Sequence, residues 1–294
     1  MTKLKSLQSL ITSTIVASTL SFSALASVTL YAHEHHDHSS KALEQSVSGE
    51  HRSAKHKARD QYRHPIETLN FFGFTPEMTV VEITPGGGWY TEILAPALKG
   101  TGKLYGAHYP DTGEDNYYSN SRKKLVKKLA SNVVFNEVVL TDFVPRKQSE
   151  LAPQGSADMV LTFRNLHNWK DAGVEQVFKD AFNALKPGGV LGIVEHRLPA
   201  GVSPEKAKGY VSETNTIKQA KAAGFRFAGA SEINANAKDM AQHPKGVWTL
   251  PPVLRLGETD KAKYLAIGES DRMTLKFVKP ENTGFSDFKK QNKQ

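Results

Sequence analysis

From Pro76 onward the chain alternates short, almost wholly apolar runs with longer stretches whose apolar residues recur every three or four positions. The short runs, at Thr79–Ile83, 103–109, 133–140, Ala157–Phe163, 190–196 and 225–233, lack a polar face, which predicts strands covered on both sides. The stretches between them, at 90–98, 119–130, 171–185 and 213–223, have helical spacing. Strands alternating with helices predict an α/β architecture, a doubly wound and mostly parallel sheet. A last apolar run at 273–279 follows a long connection with no convincing crossover helix, so it is expected as a seventh strand, inserted antiparallel. Ahead of the sheet, a helical pattern starts near Ser53 and runs to Gly73, with Ile66, Leu69, Phe71 and Phe72 as its apolar face; it predicts an N-terminal helical extension.

The first residues follow a different pattern. Lys3 and Lys5 precede an apolar run over 10–25, closed by Ala24-Leu25-Ala26, which is the layout of a signal peptide removed near residue 26. A membrane-spanning helix needs about 20 predominantly apolar residues, and Thr12, Ser13, Thr14, Ser18 and Ser23 dilute this run. The expectation is a periplasmic or secreted protein with no stable membrane anchor. Residues 27–57 are polar and read as a flexible tail containing HEHHDH. There His33, His35, His36 and His38 have the ligand type for Zn, Cu or Ni without the ordered spacing of a structural site, so the tail is either a weak divalent-metal binder or simply solvated. The remaining boundaries fall at 58–282 for the folded domain and 283–294 for a C-terminal tail.

Composition narrows the function classes. There are no cysteines among the 294 residues, which excludes disulfides and an acyl-cysteine anchor. The net charge is +8, but the basic residues are dispersed and not interleaved with aromatics, so nucleic-acid binding is not expected.

The first strand runs into VVEITPGGGWYT, a glycine-rich turn leading into a helix, where a ligand can approach the backbone. A dinucleotide site wants a small residue three positions after the second glycine and an acid ending the second strand; here those positions hold Thr91 and His108. An acid at the end of strand one beside a glycine turn instead suits the amino-acid end of S-adenosylmethionine (SAM), and Glu82, Gly86 and Gly88 supply it.

With ARDQYRHPIETLNFFGF, EITPGGGWYTEILAP, FRNLHNW, IVEHR and the LKPGG of 185–189, the chain resembles a class I SAM-dependent methyltransferase over roughly residues 58 to 280. More narrowly, it resembles a bacterial family of predicted exported methyltransferases. The resemblance implies a Rossmann-like seven-stranded sheet, SAM as cofactor, and methyl transfer to a small-molecule or envelope acceptor. The alternative is a non-catalytic periplasmic ligand- or metal-binding protein on the same fold. The usual first glycine is replaced by Thr84, and the usual ribose-holding acid by His108, with Asp111 three residues on. Glu82 either accepts from the cofactor's ammonium or caps the turn. Asp142 either meets the adenine amino group or starts a turn.

FRNLHNW places Arg164, Asn165, His167, Asn168 and Trp169 at the carboxyl edge of the sheet, with Asn165 a candidate cofactor contact and Trp169 a candidate wall. Glu195, His196 and Arg197 end strand five on the same edge. His167, Glu195 and His196 are therefore the candidates for proton transfer, or else a turn of satisfied polar groups. One cleft is expected to bring together Glu82, Gly86, Gly88, Asp142 and FRNLHNW, covered by the helices around 59–64.

Overall fold

In the computed structural model, which describes residues 41–281, the run TVVEI forms β1 (Thr79–Ile83) in the middle of a sheet. Val80 packs into a layer with Leu69, Phe72, Ile93 and Leu94, while Val81 and Ile83 pack on the other face with Phe143, Trp169 and Phe178. Covered on both faces, the strand has no solvent side to keep polar. β2 (Lys103–His108), β3 (Val139–Asp142), β4 (Ala157–Phe163), β5 (Leu185–His196), β6 (Arg226–Ser231) and β7 (Arg272–Val278) complete the sheet in the order β3-β2-β1-β4-β5-β7-β6. β1 to β5 pair in parallel, and β7 lies antiparallel between β5 and β6, as its connection predicted. Helices α5 (Thr91–Leu98), α6 (Tyr117–Leu129), α7 (Leu166–Ala184) and α8 (Glu213–Ala222) flank this doubly wound α/β sheet, and the short α9 (Lys261–Ile267) precedes β7.

The N-terminal boundary needs correction. Residues 41–48 form a helix, α1, not a flexible tail, and Leu43 within it is completely buried. α2 (Ala54–Lys57), α3 (Asp60–Arg63) and α4 (Pro65–Phe72) follow; the single helix expected from 53 is broken at His64, whose φ of 39° precedes Pro65. The anchor is Glu92 on α5, buried, which accepts from His56 Nδ1 at 2.7 Å and from Lys128. Trp89 Nε1 donates to the His56 carbonyl at 3.1 Å. The expected folded domain therefore extends back to at least residue 41. The histidines His33, His35, His36 and His38, the 1–26 segment and the 283–294 tail lie outside the described residues.

Two further departures have local causes. Of the expected strand 133–140, Val133–Phe135 is a 3-10 turn, because the Asn132 side chain accepts from Val134 N at 3.0 Å and turns the chain. Only Val139–Asp142 pairs, as a short edge strand. α7 starts at Leu166, five residues earlier than its periodicity indicates, and kinks at Lys170 (φ 57°, ψ 176°). Its first turn is capped from the neighbouring strand β5, by Glu195.

Candidate active site

The chain leaves β1 for β2 and β3 on one side and resumes with β4 on the other, so a crevice opens between the carboxyl ends of β1 and β4. The glycine turn forms one wall. Thr84 and Gly86 have left-handed φ values of 51° and 58°, and the turn is fixed by Thr84 N donating to the Ala107 carbonyl at 2.7 Å. A Cβ added to Gly86 or Gly87 would meet nothing within 4 Å, so both face open space in the crevice. Gly88 has a different duty: a Cβ there would come within 3.0 Å of Lys128 and 3.3 Å of Leu125, so it allows close packing against α6.

The crevice has two chambers meeting at Asn168. One, about 500 Å³, is walled by Tyr109, Tyr118 and Trp169. Trp169 Nε1 donates to the Tyr109 hydroxyl at 3.2 Å, and the Tyr109 and Tyr118 rings are 4.3 Å apart. The other, about 350 Å³, lies over Gly86 and Gly87 and is lined by Arg59, Arg63, Arg164 and His167. Arg59 and Arg63 come from the helical extension, which thus covers the crevice as expected.

His167, Glu195 and His196 do converge. The Glu195 carboxylate, completely buried, accepts from Leu166 N at 2.6 Å, His167 Nδ1 at 3.1 Å and His196 N at 2.7 Å, with His167 N at 3.4 Å. These donors occupy its lone pairs and fix the His167 ring with Nδ1 toward the acid, leaving Nε2 free. His196 Nδ1 pairs with Ser270 Oγ at 2.5 Å, and its ring centre is 5.1 Å from that of His167. Burial, then the neighbouring His167 and Arg164, push its pKa well below the usual imidazole value, so it is neutral at pH 7. The donor atoms of His167, Glu195 and His196 lie within 4.8 Å of one another, yet the occupied Glu195 oxygens and the adjacent guanidiniums oppose a cation there. Arg197 turns away, pairing with Asp271 at 2.9 Å and Glu232 at 2.7 Å.

The other expected cofactor contacts separate. Glu82 is 3 % exposed and does not line either chamber. Its Oε2 accepts from Thr91 Oγ1 at 2.6 Å, and burial pushes its carboxyl up to about 7. The His108 ring is buried between the Tyr109 carbonyl at 3.2 Å and Ser121 Oγ at 3.1 Å, tying β2 to α6; burial lowers its pKa. Asp142 is exposed, 3.4 Å from Arg122, in a separate surface depression with Asp111. The expected single cleft is thus corrected: it holds Gly86 and most of FRNLHNW, whereas Glu82, Gly88 and Asp142 lie behind or outside it. Asn165 lines it while its Nδ2 donates to the Ile83 carbonyl and Thr162 Oγ1, both at 3.1 Å, so it clamps β4 to the glycine turn. Thr84 Oγ1 is buried with no partner.

Sequence reasoning missed Tyr109, Tyr118, Glu269 and the role of Arg59 and Arg63. The only available signal was the i, i+4 spacing of the two arginines, which puts them on one side of a helix.

No family model matches the sequence, and no curated protein matches it. Among solved structures, the chain is similar to a SAM-dependent methyltransferase from Aquifex aeolicus, at 16 % identity and TM-score 0.52, over 76 % of this chain and 93 % of that one. It is similar to the [4+2]-cyclase SpnF at 13 % identity and TM-score 0.55, over 80 % and 85 % of the two chains. A geranyl diphosphate methyltransferase is similar at 12 % identity and TM-score 0.51, over 74 % and 77 %. At these identities the likeness is one of fold, and the fold is the Rossmann-like, seven-stranded sheet of class I methyltransferases.

Proposed function

We propose that the protein binds SAM across the two chambers and transfers its methyl group to an acceptor held beside His167. The observation that carries this reading is the open cradle over Gly86 and Gly87, backed by a buried, unpaired Thr84 Oγ1 and continuous with an aromatic chamber suited to an adenine ring. Tyr109, Tyr118 and Trp169 would hold the base by stacking, and the glycine turn would hold the amino-acid end. SAM, when bound, supplies an electrophilic methyl on a sulfonium sulfur.

The chain's own contribution is alignment, dryness and a proton acceptor. With Nδ1 held by Glu195, His167 offers Nε2 to take the acceptor's proton as the new bond forms. Neutral His196 alongside adds no opposing charge. The signal-peptide layout supports an exported protein whose acceptor is a small molecule or an envelope component, with the histidine-rich segment as a weak divalent-metal binder. Calorimetric titration with SAM and S-adenosylhomocysteine tests the reading: saturable one-to-one binding of both is expected. Silence with both ligands overturns it and leaves a binding protein for another ligand.

A further inference from the structure

Four guanidiniums surround one carboxylate at the floor of the second chamber. Glu269 lies 2.5 Å from Arg59 Nε, 3.3 Å from Arg63 Nε, 2.6 Å from Arg272 Nη2 and 3.9 Å from Arg164 Nη1. Burial alone would raise its pKa, but the guanidiniums of Arg272, Arg63 and Arg164 hold it down to about 2. One negative charge thus faces four positive ones. The nearby acids are engaged elsewhere: Asp60 with Arg52 at 2.7 Å, and Glu92 with His56 and Lys128.

The excess cations are not equivalent. Arg272 is satisfied, donating also to the Tyr62 carbonyl at 2.9 Å. Arg59 Nη2 and Arg63 Nη1 are buried and have no partner. Arg63 is 2 % exposed and stacked over Trp89 at 4.5 Å, so its fork cannot swing out to water. A buried donor without an acceptor carries a desolvation cost, and one beside a chamber recovers it when an acceptor, water or an anion, is seated there. Planar guanidiniums match the oxygens of a carboxylate or phosphate.

Position says which ligand. Arg164 follows β4, Glu269 precedes β7, and His196 ends β5, so the cluster stands across the glycine turn from the aromatic chamber and shares its chamber with His167. We propose that the arginine end of this chamber, beyond the glycine turn that seats SAM, is the acceptor subsite and takes an anionic methyl acceptor, one whose carboxylate or phosphate oxygens accept from Arg59 Nη2 and Arg63 Nη1. This rests on the methyl-transfer reading above. The rival source of the same chemistry is the carboxylate of SAM itself.

The test uses the mature chain with inorganic phosphate and with acetate, against chloride at equal ionic strength, reading the thermal midpoint without and with saturating SAM. Phosphate at about ten times its Kd should raise the midpoint by roughly 3–6 °C, equally in both conditions. Arg59→Gln should weaken phosphate binding at least tenfold. Arg164→Gln, which leaves the Glu269–Arg272 pair in place, should weaken it as well and guards against a folding defect in the first variant. Stabilisation by either anion no greater than by chloride overturns the proposal. So does Arg59→Gln binding phosphate as tightly as the parent, and so does displacement of phosphate by SAM, which would assign the guanidiniums to the cofactor. Phosphate binding in a protein that does not bind SAM would leave the anion site standing and sink the methyl-transfer reading instead.

Discussion

Replacing Glu82 with Gln isolates the energetics of an acid placed under the glycine turn. The carboxyl is 3 % exposed, its one side-chain partner is Thr91 Oγ1, and burial lifts its pKa from 4.5 to about 7. A folded pKa above the unfolded one means that the folded state binds the proton more tightly. The stability is therefore fully present below pH 4.5, falls as the unfolded chain ionises from pH 4.5 upward, and levels off above pH 7. At about 1.36 kcal/mol per pH unit, the ionised form costs roughly 3 kcal/mol. Gln is neutral at every pH and close in shape to the protonated acid, so Glu82→Gln removes this slope. Urea unfolding of both proteins across pH 4.5 to 8.5 should give similar stabilities at the acid end and a variant more stable by roughly 3 kcal/mol at the alkaline end. Parallel curves for the two proteins would mean that Glu82 is ionised in the fold at all these pH values and that its burial does not hold the proton.

Truncating the anchor of the N-terminal extension, Leu43→Ala, should cost about 2–5 kcal/mol in urea unfolding; a cost near zero would return residues 41–48 to the status of a tail. Glu195→Ala strips the acceptor from the amides of Leu166 and His167 and should destabilise the protein by roughly 2–5 kcal/mol while leaving SAM affinity within twofold. A stable Glu195→Ala protein would show that α7 does not need this cap.

What the sequence revealed depended on how far apart the deciding groups are. β1 and β4 were legible because burial on both faces removes polar residues from a contiguous run. The antiparallel β7 was legible from its connection. The first turn of α7 was not, because its cap is Glu195, 29 positions away, and FRNLHNW carries no helical signature of its own. The flexible reading of 41–57 failed for a similar reason: its hold on the fold comes from Leu43 and from contacts to Trp89 and Glu92, in a stretch otherwise too polar to read as packed. Within the site, Gly86, Asn165 and His167 could be placed at the crevice from strand ends alone. His108 and Asp142 could not be placed, because whether a side chain at a strand end turns to the cleft or to a neighbouring helix depends on Ser121 and Arg122 of α6. The guanidinium cluster spans Arg59 to Arg272, and beyond the i, i+4 spacing of Arg59 and Arg63 no local pattern reports it.

SAM seated over the glycine turn would lie against Gly87, and Gly87→Val would block that seat. Gly87 does not have a left-handed φ, and its Cβ would point into open space, so the substitution leaves the fold unstrained while filling the cradle. Calorimetry of parent and variant side by side should show SAM binding in the parent and none in the variant, with equal thermal midpoints in the absence of ligand. Equal SAM affinity in both proteins would mean that SAM does not sit on this turn, because a cofactor seated there cannot tolerate a valine side chain beneath it.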